Sequence, residues 1–196
     1  MDTPSQQPTS PSHRKTAVQM IREWFQVIII ALVIALPIRY FIAEPFIVQG
    51  ASMDPTFSTG QFLIVDRISY RFGAPSRGDV VVFEYPLNPS TYYIKRIIGL
   101  PGESVSINHG TVTITNTEHP EGFTLDESYI DSSHASLDSL TETLGPTEYF
   151  VMGDNRAQSA DSRLWGPLQK HFIVGRPLIR LTPLSSIGIL PGEHTE

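Results

Sequence analysis

The chain has 196 residues, 14 Lys+Arg against 20 Asp+Glu for a formal charge of −6, and no cysteine. Without cysteine, disulfides, Cys-ligated zinc, iron–sulfur clusters and thiol nucleophiles are excluded, so any covalent chemistry rests on an oxygen or an amine. The acidic balance argues against general nucleic-acid binding, which shows as a basic excess, and 16 Pro and 14 Gly without a repeating period point to a turn-rich fold.

The near-zero mean hydropathy averages over unlike segments. Residues 1–13 are mostly Ser, Pro, Thr and Gln with no apolar residue beyond Met1, too polar to offset their ordering entropy, and 1–23 as a whole reads as a disordered cytoplasmic tail. Residues 24–43, WFQVIIIALVIALPIRYFIA, have Gln26 and Arg39 as their only strongly polar members. As a helix they extend about 30 Å, the hydrocarbon thickness of a bilayer. The block 27–36 has no polar face, which favours a membrane span over a buried core helix, and no small-x-small site closes it as a cleaved signal would require. Arg39 can snorkel beside Tyr40 and Phe41. Arg14, Lys15 and Arg22 precede the span, and the next basic residue after Arg39 is Arg67. The positive-inside rule then puts the N-terminus in the cytoplasm and residues 44–196 on the far side, periplasmic, extracellular or lumenal.

Residues 44–196 read as one exported, mainly β domain. Runs at 61–70, 79–85, 92–100, 104–107, 111–114, 149–152 and 172–181 are rich in Val, Ile, Phe and Tyr and bounded by Gly, Pro or Asn. Asn108-His109-Gly110 signals a hairpin. Helix signals after the apolar run are weak, so a partly closed antiparallel sheet is expected. The stretch 116–147, acidic and rich in Ser and Thr, reads as a solvated surface excursion.

Three segments carry polar groups in settings suited to chemistry. Ser52 follows an apolar, strand-like run that includes Phe46 and Val48, and comes directly after Gly50-Ala51. Small residues there allow close backbone approach, and a turn start offers a free N–H for an oxyanion. Taken alone, a serine in such a turn is an ordinary loop residue. Lys95 lies in Tyr92-Tyr93-Ile94-Lys95-Arg96-Ile97-Ile98-Gly99. On a strand it shares a face with Tyr93 and Ile97, while Ile94 and Arg96 face the other way. Apolar neighbours disfavour its ammonium form and lower its pKa towards that of a useful base. The third segment, Gly153-Asp154-Asn155-Arg156-Ala157-Gln158-Ser159-Ala160-Asp161-Ser162-Arg163, is a polar loop that needs many internal hydrogen bonds, and Asp161 can pair with Arg163.

In this order, and after an apolar helix, the three segments resemble the type I signal peptidases, membrane-anchored Ser/Lys endopeptidases that remove signal peptides from exported preproteins. The resemblance covers residues 44–175 and the anchor. It implies the fold shared by those enzymes and the soluble Ser/Lys self-cleaving repressors, with Ser52 as nucleophile and Lys95 as general base. It further implies that Ser159 orients the lysine, that Asp161 and Arg163 form a structural ion pair, and that Gly153 is a small residue near the lysine. Asp154, Asn155 and Arg156 fall within the same supporting motif. The Ser52 N–H would be one oxyanion donor. The hydroxyl that part of the family carries two residues before the nucleophile is replaced here by Gly50, and the Asp-Asn often found in the loop is Ala157-Gln158. Shallow pockets near Val48, Met53, Tyr93 and Ile94 are expected to accept small side chains at the first and third positions before the cut. The implied partners are signal peptides and the lipid bilayer, with no cofactor and no metal.

Rival readings are weaker. A Ser-His-Asp enzyme would draw on His13, His109, His119, His134, His171 or His194, none of which stands near a matching motif. No His-Glu-x-x-His spacing supports zinc. The alternative from another class is a membrane-tethered β domain without catalysis that binds an exported partner.

Overall fold

The computed structural model describes residues 16–37, 43–130 and 132–192. The expected tail up to residue 15, with Arg14 and Lys15, lies outside the described residues, as do Arg39, Tyr40 and Phe41, Asp131, and His194. Contacts divide the chain into two units, Met1–Arg39 and Tyr40–Glu196.

The first unit contains helix α1, Ala17–Pro37. It begins seven residues before the expected start at residue 24, so residues 17–23 are helical rather than tail. The physical reason is local: AVQMIRE contains neither Gly nor Pro, and Gln19 Oε1 accepts a hydrogen bond from the Thr16 N–H at 3.1 Å. That contact is half of a capping box, with a Gln at the third helical position reaching back to the cap. All described side chains of α1 are exposed. By length and composition Val18–Pro37 is long and apolar enough to cross a membrane.

The second unit is antiparallel β throughout. Its strands are β1 (Ala43–Ile47), β2 (Phe62–Asp66), β3 (Val80–Tyr85), β4 (Asn88–Gly99), β5 (Ser104–Asn108), β6 (Thr111–Thr115), β7 (Phe123–Thr124), β8 (Leu140–Thr143), β9 (Glu148–Met152), β10 (Leu168–Gln169), β11 (Ile173–Arg180) and β12 (Gly188–Ile189). One sheet has the order β1-β2-β11-β3-β4-β9-β10, with β12 beside β11; a second has the order β7-β6-β5-β8. The described pairings of the first sheet end at β1 and β10, so hydrogen bonding does not close it.

Each strand read from sequence is present, with shifted limits. The run at 61–70 ends as strand at Asp66, because Asp66 Oδ1 accepts from the N–H groups of Ile68 at 2.8 Å and Ser69 at 3.1 Å and its Oδ2 accepts from the Ser69 hydroxyl. That local network starts a one-turn helix, α2 (Ser69–Phe72), where strand was expected. The β5–β6 hairpin turns at His109 and Gly110, with φ of 47° and 82°, the conformation that a two-residue type I′ turn requires.

The 116–147 stretch is more than a solvated excursion. It supplies β7 and β8, the two edges of the second sheet, and buries Leu125 and Leu144 in a cluster with Ile98, Val105, Ile107, Val112, Ile114, Phe150 and Met152. Strands this short carry little periodicity, which is why composition alone made the segment look detached.

Gly99 joins the two sheets. A Cβ there would stand 2.4 Å from Val105 Cγ2 and 2.8 Å from Leu144 Cδ1, and the β4–β9 register shifts between Ile97 and Gly99. Gly99→Ala is therefore expected to lower stability by about 1–3 kcal/mol through overpacking, measured by urea unfolding of the detergent-solubilised protein followed by circular dichroism.

Candidate active site

The chain leaves β1 through Val48 and turns at Gly50, whose φ of +91° lies in the left-handed region open mainly to glycine. The Thr59 hydroxyl donates to the Gly50 carbonyl at 3.0 Å, and the Phe57 N–H to the Met53 carbonyl at 2.8 Å. Met53 and Phe57 are sunk into a core cluster with Val48, Leu63 and Val80. This apolar anchoring holds Ser52, next to Met53, at the wall of a cleft of about 480 Å³. The Ser52 N–H donates to no partner among the described residues, while its carbonyl accepts from the Asn155 N–H at 3.1 Å.

Lys95 projects from the middle of β4, a strand flanked by β3 and β9. It is only 4% exposed. Its Nζ lies 2.6 Å from Ser52 Oγ, donates to the Ile94 carbonyl at 3.0 Å, and sits 5.3 Å from the centroid of the Tyr93 ring. Burial pulls the ammonium down to about 8, against the opposing pull of the Asp161 and Asp154 carboxylates. The structure thus joins two residues 43 positions apart in sequence into a serine–amine pair, the arrangement needed to draw a proton from a hydroxyl near neutral pH.

The polar loop is pinned by three arginines, Arg96 and Arg156 buried and Arg163 partly so. Arg96, on the face of β4 opposite Lys95, donates from Nε at 2.8 Å and Nη2 at 2.7 Å to the two oxygens of Asp154, and from Nη1 to the carbonyls of Gly78 and Gly192. The Thr56 hydroxyl also reaches Asp154, at 2.6 Å, tying the serine turn to the loop. Arg156 pairs with Glu127, and Arg163 forks onto Asp161 at 2.8 Å for each bond while its Nη1 pairs with Asp138. For Asp161, the effect of burial is outweighed by the Arg163 hydrogen bonds and charge and by the Gly153 N–H, so its carboxyl titrates below the ordinary range. Asn155 Oδ1 accepts from the Gln158 N–H at 3.2 Å and shapes the loop's short 3-10 turn.

Gly153 lies where no side chain fits: a Cβ would stand 2.3 Å from both the Ser52 carbonyl oxygen and Ser159 Oγ. Ser159 is therefore brought close to the serine turn. Its hydroxyl is buried without a well-formed hydrogen bond among the described residues, though it lies near enough to the Asp161 carboxylate to favour its ionised form, and the expected contact with the lysine amine is not made, the partners of Nζ being Ser52 Oγ and the Ile94 carbonyl. Val48, Tyr93 and Ile94 line the cleft as expected. Met53 does not: at 1% exposure it belongs to the core beneath. Its side chain points inward because the hydrophobic gain of anchoring the turn favours burial. Gly50 lines the cleft without offering a hydroxyl.

Sequence reasoning missed Thr56, Arg96, Glu127 and Asp138. A signal for the last two existed. Two arginines and two aspartates of the loop had to be satisfied together with Arg96, so at least one further carboxylate was required from outside it. Among the described residues no cluster of three or more His, Asp or Glu is gathered in a way that could hold a metal ion.

Asp154→Asn leaves the Arg96 guanidinium, 1% exposed, without its counter-charge. The expected loss is about 3–5 kcal/mol of stability, seen as a lowered urea midpoint, and a change below about 1 kcal/mol would show that the carbonyl contacts alone suffice.

The family model described as "Signal peptidase, peptidase S26" matches residues 21–182. A probable signal peptidase I-1 from Synechocystis sp. is 39% identical over 88% of each chain. Signal peptidase I of Leptolyngbya laminosa is 37% identical over 96% of this chain and 93% of its own, and that of Bacillus licheniformis 37% identical over 84% and 90%. With the family model covering most of the chain and relatives matched over nearly their whole length, this protein belongs to the signal peptidase family, peptidase S26, and is a peptidase.

Proposed function

We propose that the protein is a membrane-bound serine endopeptidase that removes N-terminal signal peptides from exported preproteins, with Ser52 as nucleophile and Lys95 as general base. The observation that carries this reading is the 2.6 Å approach of a buried Lys95 amine to the Ser52 hydroxyl. The neutral amine accepts the Ser52 proton as Oγ attacks the scissile carbonyl, and the oxyanion forms against the Ser52 N–H. The ammonium then protonates the departing amine, leaving a Ser52 ester. A water molecule, deprotonated by the same amine, attacks the ester, and the ammonium returns that proton to Ser52 Oγ as the C–Oγ bond breaks, releasing the signal peptide with a new carboxylate and restoring the free amine. Ser159, packed against Gly153 beside the serine turn, supports this arrangement through packing. The loop from Gly153 to Arg163, braced by its ion pairs, holds the turn in register.

The extended substrate lies in the cleft by strand addition, as exposed strand edges allow. Val48 and Ile94 both line the cleft and belong to one apolar cluster, a lining suited to small apolar side chains, which supports cleavage after small-x-small sequences. The apolar helix supports anchoring in the bilayer, where tethering raises the effective concentration of a substrate that is itself membrane-bound. The basic N-terminal flank, Arg14, Lys15 and Arg22, supports a cytoplasmic N-terminus with the catalytic unit on the far side.

Ser52→Ala and Lys95→Ala are each expected to reduce kcat on a preprotein by about 10³-fold or more, with near-native circular dichroism. Full turnover by the Lys95 variant would sink the assignment. Because the free amine is the active form, kcat/KM should gain about tenfold per pH unit below the amine's pKa of about 8 and level off above it. A profile flat from pH 6 to 9 would refute a lysine base.

A further inference from the structure

Residues 190–192 carry the chain from the surface to the base of the serine turn. After β11 the chain reverses and returns as β12, which pairs with Ile179 and Arg180. Leu184, Ile187 and Ile189 of this return are exposed. The path then turns inward: the Leu190 N–H donates to the Leu178 carbonyl at 2.8 Å, and Pro191 is buried. Two left-handed positions make the turn, Leu190 at φ 47° and Gly192 at φ 81°. The first is disfavoured for any residue with a side chain, so contacts farther along must hold it.

Those contacts are made by Gly192. Its carbonyl accepts from Arg96 Nη1 at 2.6 Å, and the other acceptor of that nitrogen among the described residues is the Gly78 carbonyl at 2.8 Å. A Cβ on Gly192 would stand 2.8 Å from Phe57 Cε2 and 3.0 Å from Thr56 Cγ2, so only bare backbone fits against this end of the serine turn. Thr56 and Arg96 both hold the Asp154 carboxylate. Gly192 therefore touches both sides of the clamp that joins the serine turn to the polar loop. With its carbonyl withdrawn, a buried Nη1 N–H loses its acceptor, and the guanidinium no longer has a fixed seat against Asp154.

We propose that Gly192 is a positioning residue for the Ser52–Lys95 pair, holding Arg96 and the serine turn in register through its carbonyl and its bare α-carbon. This rests on the peptidase reading above. The titratable and charged groups around the Lys95 amine are Asp154, Asp161 and Arg163 of the polar loop, Tyr93 on its own strand and Ser52 opposite. Gly192 bears on Asp154, through Arg96. A loosened Asp154 carboxylate pulls harder on the ammonium, so the amine gives up its proton at higher pH.

The test uses the full-length protein in detergent and a peptide with Ala at the first and third positions before the cut. In Gly192→Ala the acid limb of kcat/KM is expected to move upward by about 0.5–1 pH unit. On the plateau, kcat should fall about tenfold with KM within about twofold of wild type. A chain stopped after Leu190 should behave alike. Leu184→Ser, on the exposed return, should match wild type, and Gly99→Ala, which weakens the fold elsewhere, should keep the wild-type acid limb. An unmoved limb in both altered chains, an equal shift in Gly99→Ala, or loss of native circular dichroism in both altered chains would make Gly192 merely structural. Each of these overturns the proposal while leaving the peptidase reading intact. If the wild type cuts no such peptide, or Ser52→Ala cuts it as well as wild type does, the peptidase reading fails and the positioning role with it.

Discussion

A lysine amine loses its charge near neutral pH only where water cannot stabilise its ammonium, and the second unit buries Lys95 in such a place. Lys95 is placed mid-strand in β4 with β3 and β9 on either side, and its amine emerges only at Ser52. The carboxylates that would restore its charge, Asp154 and Asp161, are committed to Arg96 and Arg163. Their pull on the amine persists but is weaker than burial, which leaves it at about 8. A balance of this kind tolerates little rearrangement, since moving either carboxylate from its arginine would strengthen the field at the amine.

That balance explains why the acidic stretch of 116–147 matters. Buried arginines are costly unless paired and hydrogen-bonded throughout. Arg156 and Arg163 find their remaining partners in Glu127 and Asp138, two carboxylates of the segment that joins β7 to β8. The second sheet is thus coupled to the serine turn through a chain of contacts: Glu127 to Arg156, Arg156 Nε to the Gly153 carbonyl, and Gly153 packed on the Ser52 carbonyl. What composition presented as solvent-exposed charge is half of the bracing for the loop from Gly153 to Arg163.

The elements that were legible in sequence share a physical property, in that their signal is local. The apolar helix, the Val- and Ile-rich strands, the Asn-His-Gly hairpin and the ordered motifs around Ser52, Lys95 and Gly153 each announce themselves within a dozen residues. The limits of α1 and β2 were misplaced because Gln19 and Asp66 act through single capping hydrogen bonds that hydropathy does not register. Met53 was taken for a pocket residue because adjacency to Ser52 says nothing about which way a side chain turns.

The sequence by itself therefore determined an apolar helix followed by a mainly β unit, and ordered motifs around Ser52, Lys95 and Gly153 whose resemblance to a known family implied an oxygen nucleophile with an amine base. Only the tertiary structure decided how that chemistry is held. It settled which carboxylate meets which arginine, that Ser159 packs against Gly153 without bonding the amine, and that β1 and β4 face each other across a cleft. Each of these depends on contacts between residues tens of positions apart, and such contacts are set by how sheets stack and curl, which no local pattern encodes.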